Sequence, residues 1–150
     1  MSTTETLRQA VEQLYTASRH YLAGNPAPFL ACWSHAEDVT IFGAWGAYER
    51  GWEQVRPRLE WGAKRYRGGS TSFELLSLEA SGNLGYTVYV ERGDVLVEGQ
   101  DHPRPQALRV TQLYRWEDGA WKIIHRHGDA IINKTEASAV LFPYPQADRD

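Results

Sequence analysis

The chain of 150 residues has room for one domain, and a domain of this size buries about 70% of the surface its unfolded chain exposes. Hydrophobic residues at 42% and charged residues at 23% are ordinary for a globular protein, and a net charge of −3 leaves no concentrated basic surface for nucleic acid. The lone Cys32 excludes an internal disulfide, Met1–Leu14 lacks the apolar run of a signal peptide, and no stretch approaches the roughly 18 apolar residues of a membrane span, so a soluble cytoplasmic protein is expected.

Ser2-Thr3-Thr4-Glu5 has capping-box spacing, with a hydroxyl at a helix start and a carboxylate three residues on. Leu7, Val11, Leu14, Tyr15, Ser18, Tyr21 and Leu22 then recur at helical spacing as one buried stripe. Gly24-Asn25-Pro26 ends this helix and starts a short second one, which turns Phe29, Leu30 and Trp33 inward. Val39–Phe42 reads as a strand and Gly43–Gly51 as a loop. A third helix carries Trp52, Val55, Leu59, Ala63 and Tyr66 on one face, with Pro57 early in it. Its Arg56, Arg58, Lys64, Arg65 and Arg67 are interleaved with Glu53 and Glu60, which makes a solvated face.

From Ser70 the period changes to two. Ser72–Ser81, Leu84–Val97, Leu108–Glu117 and Trp121–Ile132 read as strands, Gly82-Asn83 and Asp118-Gly119 as hairpin turns, and Glu98–Pro105 as a polar loop. Leu141–Asp150 looks like a tail. The order predicts a single α+β domain over 1–150, with its core at about 5–132, a tail at 133–150, and helices on one face of an antiparallel sheet.

The final hairpin, Asp118-Gly119-Ala120-Trp121-Lys122-Ile123-Ile124-His125-Arg126-His127, resembles the SnoaL-like branch of the nuclear transport factor 2-like superfamily. Ala23-Gly24-Asn25 and Gly51-Trp52-Glu53-Gln54-Val55 add weaker matches, and the resemblance covers about residues 5–132. It implies a cone-shaped fold: three N-terminal helices on a strongly curved, mainly antiparallel sheet that encloses a deep pocket. It also implies a homodimer formed through the outer sheet face. The superfamily includes ketosteroid isomerases, scytalone dehydratase, limonene epoxide hydrolase, polyketide cyclases and non-catalytic kinase association domains, so the fold does not supply the reaction. The isomerases' carboxylate base, oxyanion-stabilising acid and helix tyrosine align with Gly43, Gln112 and Ala17, and that mechanism is not expected here.

Strand parity decides which side chains reach the pocket. The even positions, Leu84, Tyr86, Val88 and Val90 on one strand and Leu108, Val110, Gln112, Tyr114 and Trp116 on the next, are the more apolar and are expected to face the helices. On the last strand a three-residue loop Glu117-Asp118-Gly119 sends Arg126 inward, whereas a two-residue Asp118-Gly119 turn sends His125 and His127 inward. The resemblance favours the first.

The candidate ligand-binding set is therefore Tyr15, Tyr21, Trp33, Trp45, Tyr48 and Trp52 as an aromatic box, about half of which plain core packing would claim, with Tyr86, Gln112, Tyr114 and Arg126 as inward polar groups. Arg126 and Gln112 would orient the polar end of an apolar or aromatic ligand. The pocket would serve binding, or a lyase, isomerase or cyclase reaction. No catalytic residue is assigned and no cofactor is expected. A non-catalytic homodimeric association module is the alternative. A metal-assisted hydrolase built on His125-x-His127 is weaker, because only Asp129 or Glu91 offers a further ligand and a hydrogen-bonded polar cluster explains the pair. The outer face is expected to carry Thr87, Tyr89, Glu91, Arg109, Thr111, His125 and His127 with Leu113, Trp121 and Ile123, with Glu91 pairing Arg109 across a dimer.

Overall fold

A computed structural model describes residues 3–131 and 134–141. Helix α1 (Thr3–Leu22) buries Leu7, Val11, Leu14, Tyr15 and Ser18 along one stripe, as the spacing predicts; the proposed cap Ser2 lies outside the described residues. Gly24, at φ 92°, takes the left-handed conformation that lets the chain leave the helix, and the Asn25 N–H returns to the His20 carbonyl at 2.9 Å. Helix α2 (Ala27–Ala31) follows and buries Phe29. Strands β1 (Thr40–Phe42) and β2 (Glu49–Arg50) pair antiparallel, so a short strand stands inside the expected loop. Helix α3 (Trp52–Ala63) contains Pro57 without ending there.

Four long strands complete the fold: β3 (Tyr66–Ser81), β4 (Leu84–Val97), β5 (Arg104–Glu117) and β6 (Ala120–Ala130). The six-stranded sheet has the order β2-β1-β6-β5-β4-β3, with β1 parallel to β6 and every other pair antiparallel. The architecture is α+β, with helices packed on a curved, mostly antiparallel sheet. Tyr66 belongs to β3 rather than to the α3 face. Gly68 and Gly69, both at positive φ, sit in an irregular start to β3 that period-two patterning does not register. Ala137–Val140 forms a single 3-10 turn, and the expected tail beyond Leu141 lies outside the described residues. No described helix is long and apolar enough to cross a membrane.

The register corrects the parity reading in two places. On β4 the buried positions are the odd ones, Thr87, Tyr89 and Glu91, which stand opposite Gln112, Val110 and Leu108 of β5. The apolar even set, Tyr86, Val88 and Val90, faces outward. Ranking the two sets by hydrophobicity failed because the inner face of this strand is the polar one. On β6, Asp118-Gly119 is a two-residue turn: Glu117 pairs with Ala120, and positive φ at both turn residues (49° and 83°) fits a type I′ hairpin. Trp121 and Ile123 therefore point inward, not outward. Between Ile123 and His125 the register then shifts by one residue at Ile124, a β-bulge, and parity inverts. Beyond it Arg126 and Gly128 face the helices, while His125 and His127 stand on the outer face beside Leu113 and Thr111.

Candidate functional site

A cavity of about 90 Å³ lies where the helices meet the inner sheet face. α1 contributes Ser18, Tyr21 and Leu22, α2 Phe29, and α3 Arg58, Leu59 and Gly62. The segment from β1 into the next loop adds Ile41, Gly43, Ala44 and Trp45, and the long strands add Tyr66, Glu91, Leu108, Arg126 and Gly128. Apolar walls thus surround a few convergent polar groups, the usual composition of a small-molecule site.

One glycine, Gly62, makes room for the ring packing. A Cβ at Gly62 would land on the Tyr21 hydroxyl and 3.2 Å from Cζ3 of Trp45, so only glycine admits both rings against α3. The Tyr21 hydroxyl donates to the Leu59 carbonyl at 2.7 Å and is fixed there. At Gly128 a Cβ would stand 3.5 Å from Nε and Nη2 of Arg126, ordinary packing distance, so the guanidinium lies against this residue.

The charged floor joins β6 to β4. Arg126, its side chain 12% exposed, donates from Nη1 to the Tyr89 hydroxyl at 2.9 Å and lies 5.6 Å from the centroid of the Phe29 ring. Glu91 stands 3.8 Å from Arg126 Nη2, a Coulombic neighbour beyond hydrogen-bonding reach. Such a pair is worth about 4 kcal/mol at an effective dielectric of 20, while withdrawing each ion from water costs several kcal/mol. Desolvation wins at Glu91: burial pushes its carboxyl above the usual range, and Arg126 offsets only part of the rise. Burial likewise raises the Tyr15 phenol to about 12 and pushes the Tyr21, Tyr66 and Tyr89 phenols up, so all four stay protonated at neutral pH.

At the mouth, Trp45 packs edge-on against Trp61 at 5.4 Å and lies 5.4 Å from Tyr66. The Arg58 guanidinium covers Trp61 at 4.2 Å, donates to the Trp45 carbonyl at 3.4 Å and stands 3.5 Å from Glu49. Arg58 is therefore engaged by a ring, a carbonyl and a carboxylate.

Of the candidates read from the sequence, Tyr21, Trp45 and Arg126 line this cavity. Tyr15 stacks on Phe73 at 4.1 Å and meets Tyr89 edge-on behind the wall. Trp33 is core, at 1% exposure. Trp52 stacks on His35 outside the cavity, and Tyr48 is 70% exposed. Tyr86 is on the outer face, in contact with Ser77, because β4 presents its odd positions inward. Gln112 is fully buried and accepts a hydrogen bond from the Tyr114 hydroxyl at 2.8 Å, but it does not line the cavity. Tyr114 instead reaches a separate, more open groove between α1, α2 and the β5–β6 hairpin, along with Trp116, Trp121 and Cys32. Glu91, Tyr66, Tyr89 and Arg58 were missed. A carboxylate alternating with Thr87 and Tyr89 inside an apolar strand was the available signal for the first.

The two histidines do not join this site. His125 Nδ1 is 2.6 Å from the Thr40 hydroxyl, His127 is 3.5 Å from Asp129, and the Phe42 ring meets both imidazoles edge-on. Asp129 is held by two hydrogen bonds from Arg109, at 2.8 and 2.9 Å. Glu91 lies on the opposite face of the sheet, so it neither pairs with Arg109 nor offers the histidines a ligand. Among the described residues no group of three His, Cys, Asp or Glu could hold a metal.

The fold has many solved counterparts. A nuclear transport factor 2-like superfamily protein from Salmonella enterica superposes with a TM-score of 0.70 at 15% identity, over 90% of this chain and 97% of that one. A ketosteroid isomerase-like protein from Erwinia carotovora gives 0.69 at 13% identity, over 86% and 96%. The CaMKII hub of S. rosetta gives 0.64 at 13% identity, over 87% and 98%. At such identities the likeness establishes the fold alone. No curated protein matches the sequence significantly. The SnoaL-like domain, in contrast, matches residues 7–133, nearly the whole span that builds the sheet and the cavity. The chain therefore belongs to the SnoaL-like domain family.

Proposed function

We propose that this protein binds a compact small molecule in the cavity between Trp45 and Arg126, with the ligand's apolar or aromatic body against Phe29, Ile41 and Leu59 and its polar end on Arg126. One observation carries the reading: a largely buried guanidinium lines an apolar cavity and, among the described residues, makes one hydrogen bond, to Tyr89. At about 90 Å³ the space falls below the ~300–1,000 Å³ of drug-sized sites, which favours a small ligand. Titration of small aromatic compounds, followed by tryptophan fluorescence, tests it. Saturable quenching that Arg126→Ala weakens at least tenfold, with the variant still folded, supports the reading; equal affinity in both proteins contradicts it.

A second role is compatible with the first. The outer sheet face exposes Leu113 (40%), Tyr86 (37%) and Phe42 (42%) beside half-buried Val88 and Val90. So much apolar surface on one face supports a homodimer built across it. Sedimentation at micromolar concentration tests this: a dimer that Leu113→Glu dissociates is the expected result, and a wild-type monomer contradicts it.

A further inference from the structure

Arg126 is short of acceptors. Of a guanidinium's five N–H groups, one on Nη1 reaches Tyr89. Nε–H and the Nη2 hydrogens bond to no described residue, and Glu91 stays 3.8 Å away. Gly128 lies against those same atoms: a Cβ there would be 3.5 Å from Nε and Nη2 and 3.7 Å from Cζ, ordinary packing distance. Nε and Nη2 form the edge of a guanidinium that takes a carboxylate through two parallel hydrogen bonds. That edge makes no hydrogen bond with a described residue, and Arg126 lines the cavity.

A carboxylate arriving there meets a charge problem. Arg126 and an ionised Glu91 are neutral together, and a second carboxylate would leave a net negative charge in a cavity walled by Phe29, Ile41, Leu59 and Leu108. Two carboxylates around one cation in a low-dielectric cavity repel, and each disfavours the ionised form of the other. The other polar groups facing Glu91 give no relief. Tyr89 on β4, Tyr15 and Tyr21 on α1, and Tyr66 on β3 are protonated phenols, and Arg58 on α3 is engaged with Glu49 and Trp61. From β5, the residue opposite Glu91 is the apolar Leu108. Glu91 is the group that can yield.

We propose that the cavity takes a compact monocarboxylate, which replaces Glu91 as the counter-ion of Arg126 while Glu91 takes up one proton from solvent. The charge balance closes: a guanidinium and a carboxylate before, a guanidinium, the ligand's carboxylate and a neutral Glu91 after. No covalent bond changes. The inference rests on the small-molecule reading above and adds the ligand's chemical class and a proton that binds with it.

The test uses benzoate and its neutral isostere benzamide as probes, with calorimetric titration between pH 6 and 9 in phosphate and in Tris, buffers of very different ionisation heats. Benzoate should bind more tightly than benzamide. The buffer dependence of the heat should show uptake rising toward one proton per site as pH increases. Over that range affinity should fall by up to tenfold per pH unit, the slope of one linked proton. Glu91→Gln should bind benzoate with neither proton uptake nor pH dependence, and the wild-type buffer comparison decides alone if that variant does not fold. Benzoate binding without proton uptake at any pH overturns the exchange at Glu91. Benzamide binding as tightly as benzoate overturns the carboxylate assignment and leaves the small-molecule reading standing. Binding of neither probe, in a folded protein, removes both.

Discussion

The Arg126 guanidinium on β6 and the Tyr89 hydroxyl on β4 are joined by a 2.9 Å hydrogen bond that reaches across the intervening β5. Tyr89 is 1% exposed, and its hydroxyl is the one acceptor among the described residues to which Arg126 donates a hydrogen bond. Tyr89→Phe keeps the ring and its contacts with Tyr15 and Phe73 but removes that acceptor. The variant should lose about 1–3 kcal/mol in denaturant unfolding, the cost of stranding a buried charged donor. Unchanged stability would show that the bond contributes nothing to the fold.

Stability should depend on pH through Glu91. Its folded value is raised by burial above the unfolded value of about 4.3, so the folded state holds the proton more tightly. That contribution is fully present below the unfolded value and is lost as pH rises through the folded one. The melting temperature should therefore drop across this window, and Glu91→Gln should flatten the drop. His125 acts in the opposite direction: burial, then His127, lowers its pKa, so its contribution is present above about 6.5 and lost as pH falls through the folded value. A wild-type curve identical to that of Glu91→Gln would remove Glu91 from the account.

Gly62→Ala should destabilise the protein although alanine suits a helix better by about 1 kcal/mol. The new methyl meets the Tyr21 hydroxyl, which its bond to Leu59 and its burial hold in place, and the edge of Trp45. Overpacking of this kind costs about 1–3 kcal/mol, so a net loss and a shift in tryptophan emission are expected. A gain in stability would mean that Tyr21 and Trp45 yield freely.

Most of the fold could be read from residue spacing. The stripe from Leu7 to Leu22, Gly24 at the end of α1, and the strand Leu84–Val97 all stand where periodicity and turn chemistry put them. The site was less legible, for two physical reasons. Hydrophobic ranking assumes that the more apolar face is the inner one, and β4 breaks this by placing Thr87, Tyr89 and Glu91 inside. Strand parity also assumes an unbroken ladder, and the bulge at Ile124 has no residue signature. Arg126 was expected inward through a three-residue turn. It is inward because a two-residue turn and a bulge together give the same parity, so the residue was found by a register that does not exist. Tyr86 was expected in the pocket and Glu91 outside it, and the structure exchanges them.

The central claim, a small molecule held between Trp45 and Arg126, is tested most directly by a nuclear magnetic resonance titration with benzoate that follows the Arg126 Nε–H and the tryptophan indole N–H signals. The account predicts saturable shifts of Arg126 and Trp45 with one common dissociation constant, while Trp116 and Trp121 in the separate groove stay unmoved. Shifts confined to Trp116 and Trp121, or none at Arg126 and Trp45 at saturating benzoate, would contradict it.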